Sequence, residues 1–219
     1  AFLLDKKKEY ILTILIKLIG DKVDKVINLF KENKKTLYFI FTIALVGLAA
    51  GIFFYFFISY NDKVKCINFI NKYIDNIKNS KYFILFIKSF VFNIILLSLI
   101  FISGLSITGF FTGTLMFFSK NFITGLYMLL LTKATNYYSA STLYFLPAGL
   151  IYIIIYSIML LFSLSISGNL ILSLFKGKNI SFRNVNKKYL LLYIILIGIS
   201  LILSLYEGII LPKILLKFI

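Results

Sequence analysis

The 219-residue chain contains no histidine, a single cysteine, Cys66, and only two prolines. With no imidazole, one thiol and no cluster of carboxylates, it lacks the side-chain sets from which most metal, nucleophilic and acid/base centres are built. No catalytic, metal-binding or cofactor-binding residue is therefore assigned, no cofactor is implied, and the chain is read as non-enzymatic. The lone Cys66 excludes an internal disulfide framework and says little about redox compartment. Acidic residues are scarce as well. Eight Asp and Glu stand against 24 Lys and Arg, a formal charge of +16, and beyond Lys81 the single acidic residue is Glu207.

What is abundant is hydrocarbon. Hydrophobic residues make up 60% of the chain, gathered into runs near or above the ~20 residues that span a bilayer. A soluble domain is excluded, and the fold class is an all-α integral membrane protein. The basic residues lie mostly between the apolar runs, which fits topology signals and headgroup contacts better than a nucleic-acid surface. The bilayer is thus the first partner, and nucleic acid is not one. The bias toward Ile, Lys, Asn, Phe and Tyr is what AT-rich coding produces, so long Lys/Asn loops carry little information by themselves.

Residues 1–35 differ from the rest. Leu12, Leu15, Ile16, Ile19, Val23, Val26, Ile27 and Phe30 fall on one stripe at helical spacing, which predicts an amphipathic helix that packs on the cytoplasmic face or lies in the membrane interface. Lys17 and Gly20 interrupt its apolar part, and no small-residue cleavage site follows, so it is not expected to be a signal peptide. Asp21 could cap a second piece of it.

Residues 36–219 form the transmembrane domain, with five expected spans. The first, Thr36 to Tyr60, contains Gly47 and Gly51, a GxxxG that allows close approach of another helix. Asn61 to Lys81 is polar, yet Val64, Ile67, Phe69, Ile70, Tyr73, Ile74 and Ile77 form a stripe that predicts a short helix on the membrane surface. Tyr82 to Leu131 is long enough for two spans in a tight hairpin near Ser103-Gly104, with Gly109 and Gly113 a second GxxxG. Leu143 to Phe175 exceeds one span, so it tilts, projects or breaks near Ser163 to Gly168, and Pro147 in its first turns costs little. Tyr189 to Pro212 is the last.

Orientation follows from lysine and arginine. The N-terminal segment has nine lysines and Lys176 to Lys188 has five basic residues, against Lys133 alone in Thr132 to Thr142. Both basic regions are therefore expected in the cytoplasm, with the N-terminus, and the C-terminus outside. The lysines of Asn61 to Lys81 then lie outside, contacting headgroups.

Four polar residues inside the spans are candidates for structural or functional roles. Glu207 is costly in hydrocarbon unless it faces protein or water, so it is expected in the bundle interior beside Lys120, Lys88 or Asn93, in that order. Asn93 would make interhelical hydrogen bonds. Lys88 could snorkel to an interface, and Lys120 could pair with Glu207 or mark a helix break with Asn121. Ser163, Ser165 and Ser167 read as a helix satisfying its own backbone around Gly168.

Several of these residues stand in a recognisable order. Ser89-Phe90-Val91-Phe92-Asn93, Gly104, Gly109, Lys120, Gly125, Leu146-Pro147 and the ending Ser204-Leu205-Tyr206-Glu207-Gly208-Ile209-Ile210-Leu211-Pro212 resemble the stage II sporulation protein M family, over roughly Thr36 to the C-terminus. The N-terminal segment is longer than expected for that family, and Lys120 to Leu126 departs from its pattern. The resemblance implies a non-catalytic multispanning scaffold that anchors cell-wall hydrolases in a bacterial membrane during engulfment. The alternative it implies is a membrane subunit beside an ABC-type cytoplasmic ATPase, for export of, or immunity to, a circular bacteriocin. A homo-oligomer is compatible with either.

Overall fold

The structure, a computed structural model, describes residues 33–79, 81–135, 142, 144–176 and 182–216. The stripe from Leu12 to Phe30 lies outside the described residues. The chain divides into two units, Ala1–Phe39 and Ile40–Ile219. The helices are α1 (Lys34–Phe57), α2 (Tyr60–Lys78), α3 (Tyr82–Gly104), α4 (Gly109–Thr135), α5 (Leu150–Lys176), α6 (Phe182–Leu205) and the short α7 (Leu211–Leu215). Phe145–Gly149 and Tyr206–Ile210 are π-helical turns leading into α5 and α7.

Among the described residues, five segments are long and apolar enough to cross a membrane: Lys34–Phe57, Tyr82–Gly104, Gly109–Lys133, Leu146–Phe175 and Lys187–Leu215. The protein is thus an all-α membrane protein of five potential spans. Its outer surface agrees with a lipid solvent, since Phe53, Phe57, Phe83, Phe111, Ile154 and Ile202 are exposed. Polar groups are instead gathered inside, where Asn93, Ser103, Lys120, Asn121, Thr124, Ser163, Ser200 and Ser204 are buried. Hydrocarbon cannot satisfy such groups, so most of them bond within the bundle, Asn121 Nδ2 and Thr124 to their own helix backbone, while the Ser200 hydroxyl and Asn121 Oδ1 have no protein partner among the described residues.

Some local expectations change. Residues 105–108 form the hairpin between α3 and α4, stabilised by Ser106 Oγ accepting from Thr108 N at 3.2 Å. Helix α6 begins at Phe182, inside the stretch expected to be a basic loop, and Lys187 and Lys188 are exposed on its early turns. Such long side chains let a helix run past the hydrocarbon boundary while their charges stay solvated. Helix α4 passes Lys120 and Asn121 without a break, and Asn121 Nδ2 and Thr124 Oγ1 are satisfied by donating to the carbonyls of Phe117 and Lys120 on their own helix. Helix α5 is likewise continuous through Gly168. Its irregularity falls at Pro147, which has no N–H to donate and lies within the first π-helical turn.

Helix α2 is a seated helix and not a loop. Ser59 caps it, its hydroxyl accepting from Asp62 N at 3.3 Å and donating to Asp62 Oδ2 at 2.8 Å. Lys65 closes the same corner on Asp62 at 3.1 Å. The Ser59 bond and the Lys65 charge hold the Asp62 carboxyl below its ordinary range. One face buries Ile70, Ile74 and Ile77 against Leu85 of α3, Leu130 and Leu131 of α4, and Leu211 and Leu215 of α7. The opposite face exposes Asn68, Asn71, Lys72, Asp75 and Lys78.

Close helix approaches use glycine. A Cβ on Gly47 would lie 2.9 Å from Asn121 Cβ, and one on Gly51 or Gly125 would run into the facing backbone of Phe122 or Leu48. Helices α1 and α4 therefore meet backbone to backbone along this seam. Gly109 and Gly113 instead face Ser103 across the hairpin, Gly113 also approaching Leu160 of α5.

Candidate functional site

Asn93 stands at the centre of the interior network. It is 1% exposed on α3, which packs against α4, α5, α6 and the second π-helical turn. Its amide nitrogen donates to Ser89 O at 2.9 Å and Tyr152 Oη at 3.0 Å. Its Oδ1 accepts from Lys120 Nζ at 2.8 Å and Tyr156 Oη at 3.1 Å. One side chain so joins α3, α4 and α5. Tyr152 also shares a 3.0 Å hydrogen bond with Ser204, which brings α6 into the same network.

Lys120 is 6% exposed and sits among rings as well as oxygen. Its ammonium lies 4.7 Å from the Tyr152 ring centre, 5.3 Å from that of Phe92 and 5.6 Å from that of Tyr156. Ring faces stabilise a desolvated cation, so this cage and the Asn93 oxygen together replace the hydration that the ammonium gives up.

Glu207 does face the interior, in the second π-helical turn, where it is half-buried. Its hydrogen bond comes from the Ser89 hydroxyl. It makes no direct ion pair with Lys120, and the pairing order expected from sequence is thereby revised: Ser89 holds the carboxylate, while Asn93 and Lys120 follow through the network. Ser89 sits four residues before Asn93 on one face of α3, and Gly208 lets the turn press against the Phe86 backbone. That close contact brings Glu207 to Ser89, and Pro212 follows, buried in the first turn of α7.

Lys88 is exposed and does not join the network. It instead borders a cavity of about 500 Å³ together with Lys72, Lys120, Glu207, Ser89 and Asn93. Tyr73 of α2 borders the same space, and burial, with the Glu207 charge as a second cause, holds its phenol well above its ordinary pKa. A neutral phenol can donate a hydrogen bond there. Three groups contributing to the site did not stand out in the sequence as polar interior residues: Ser89, the pair Tyr152 and Tyr156, and Ser204 with Ser200, the latter accepting from Tyr152 through its backbone carbonyl. Their signal was an i, i+4 spacing on three helices, matching Ser89 and Asn93.

A separate polar seam ties α3 to α5. Ser103 and Ser163 hydroxyls lie 3.2 Å apart, and Ser167 Oγ donates to Ile107 O at 3.3 Å. Ser163 thus bonds across helices and Ser167 to the α3–α4 hairpin, whereas local backbone satisfaction was expected. Tyr189 of α6 donates to Phe101 O at 2.9 Å nearby.

No family model, curated protein or solved structure matches this chain.

Proposed function

We propose that the protein is a non-catalytic, multi-pass scaffold of a bacterial cell membrane, similar to the stage II sporulation protein M family, that anchors cell-wall hydrolases during engulfment. The observation that carries this reading is α2, a capped helix with its apolar face fixed on the bundle and its polar face presented outward. A rigid, charged, exposed helix suits a docking surface, because little ordering entropy remains to be lost when a partner binds.

Orientation supports the same reading. Helix α2 packs on the late turns of α4 and on α7, so α2 and the C-terminal turn share one end of the bundle. Lys187 and Lys188, on the early turns of α6, belong to the opposite end. Positive-inside bias assigns that opposite end to the cytoplasm, together with the N-terminus, and leaves α2 on the outer side where wall enzymes act.

Affinity purification of the full chain in mild detergent, with identification of co-eluting chains, tests the proposal. Wall hydrolases are the expected partners. An ATPase in their place would overturn the scaffold in favour of an ABC-type export or immunity subunit.

A further inference from the structure

Beyond the scaffold reading, and independent of it, we propose that the cavity bordered by α2, α3 and α4 is a binding site for a phosphate ester carried on an apolar body, the chemistry of an anionic lipid headgroup. Three helices each border it with one lysine: Lys72 from α2, Lys88 from α3 and Lys120 from α4. Glu207 is the one carboxylate on its wall, already bonded by Ser89. Lys120 spends one N–H on Asn93. Lys72 and Lys88 make no hydrogen bond or ion pair among the described residues.

The site therefore carries an excess of two positive charges, and two of its cations are uncompensated. Lysines from three separate helices thus border one space. A phosphate ester supplies the missing charge and enough acceptor oxygens for several ammonium groups at once. The remaining wall includes Phe69, Phe92 and Ile123, so the ligand's neighbouring part is apolar. Phe69 is 67% exposed on α2. The cavity runs from Lys72 on amphipathic α2 and Lys88 in the second turn of α3 inward to Asn93 and Lys120 near the middle of their helices, so its outer part falls at the level of lipid headgroups. At about 500 Å³ it has the size of a small-ligand site.

The test is native mass spectrometry of the full chain in detergent, titrated separately with dioleoyl phosphatidylglycerol and dioleoyl phosphatidylcholine. The wild type is expected to retain the anionic lipid preferentially. Each lysine near a charged headgroup is worth about fivefold in binding, so K72Q/K88Q should lose roughly tenfold or more of the phosphatidylglycerol affinity. K78Q removes the same charge from α2 outside the cavity and should leave that affinity nearly unchanged. E207Q keeps an acceptor for Ser89 and removes the opposing charge, so it should bind the lipid more tightly.

Glycerol 3-phosphate added as competitor separates the two sources of this chemistry. Displacement at equal concentration assigns the site to a soluble phosphate ester, and retention of the lipid assigns it to the headgroup. The proposal is overturned if the wild type shows no anionic preference, if K78Q weakens binding as much as K72Q/K88Q, or if K72Q/K88Q binds like the wild type. Weaker binding by E207Q would also overturn it, by showing that the ligand needs a carboxylate and is zwitterionic. Far-ultraviolet circular dichroism of each variant verifies that the helices are intact, and both substituted lysines are exposed enough for this to be expected.

Discussion

The Lys120 ammonium donates to Asn93 Oδ1 at 2.8 Å, while the Glu207 carboxylate is bonded by Ser89. The two opposite charges of the interior are thus held by separate neutral groups four residues apart on α3. Replacing Asn93 by Leu should take the only hydrogen-bond acceptor seen for the buried Lys120 ammonium among the described residues and cost about 3 kcal/mol or more. N93D restores an acceptor and should cost less than N93L. Thermal unfolding in detergent measures both.

Glu207 should be coupled more strongly to Ser89 than to Lys120. A double-mutant cycle with S89A and E207A is expected to give an interaction of about 1.5 to 3 kcal/mol, the range for a hydrogen bond to a charged group. The cycle of E207A with K120A should give a smaller value. E207Q should be milder than E207A, because an amide oxygen still accepts from Ser89. A larger coupling to Lys120 than to Ser89 would show that a direct ion pair forms.

The backbone contacts of α1 with α4 make Gly51 and Gly125 intolerant of side chains. G51L should destabilise by about 2 kcal/mol or more, since overpacking against backbone has no flexible side chain to yield. Gly198 has open space where a Cβ would stand. G198A should be neutral or stabilising by up to about 1 kcal/mol, from helix propensity. Equal effects of G51L and G198A would remove the argument for a backbone seam.

The cap of α2 should depend on pH in the acid range. Asp62 has a depressed pKa when α2 is folded, so its contribution is present above the ordinary carboxylate range and fades as pH falls through the lower, folded value. Amide exchange in the first turn of α2 should therefore speed up on acidification below about pH 4 relative to the rest of the helix. D62N should weaken this dependence. Because Asp62 is exposed, the effect is confined to local fraying.

Much of the architecture was legible because hydrocarbon imposes it. Spans announce themselves as long apolar runs, and the tight hairpin after Gly104 follows from a run too long for one crossing. The stripe of Ile70, Ile74 and Ile77 likewise placed a helix where composition alone suggested a loop. The partner of Glu207 was less accessible. Sequence ranks partners by charge, so it favoured Lys120, whereas a π-helical turn and the missing Cβ of Gly208 bring the carboxylate to the small hydroxyl of Ser89. Serines and tyrosines within apolar runs look unremarkable until their i, i+4 pairs on α3, α5 and α6 are seen to face one point. The convergence of Lys72 and Lys88 depends on how α2 seats against α3, which no local pattern encodes.

The central claim is that α2 is an outward-facing docking helix, and labelling tests it most directly. With Cys66 replaced by serine, N68C places a thiol on the exposed face of α2. A membrane-impermeant maleimide should label it in intact cells, with no further gain after the membrane is opened. Labelling that appears only after opening would put α2 in the cytoplasm, reverse the topology and contradict the scaffold account.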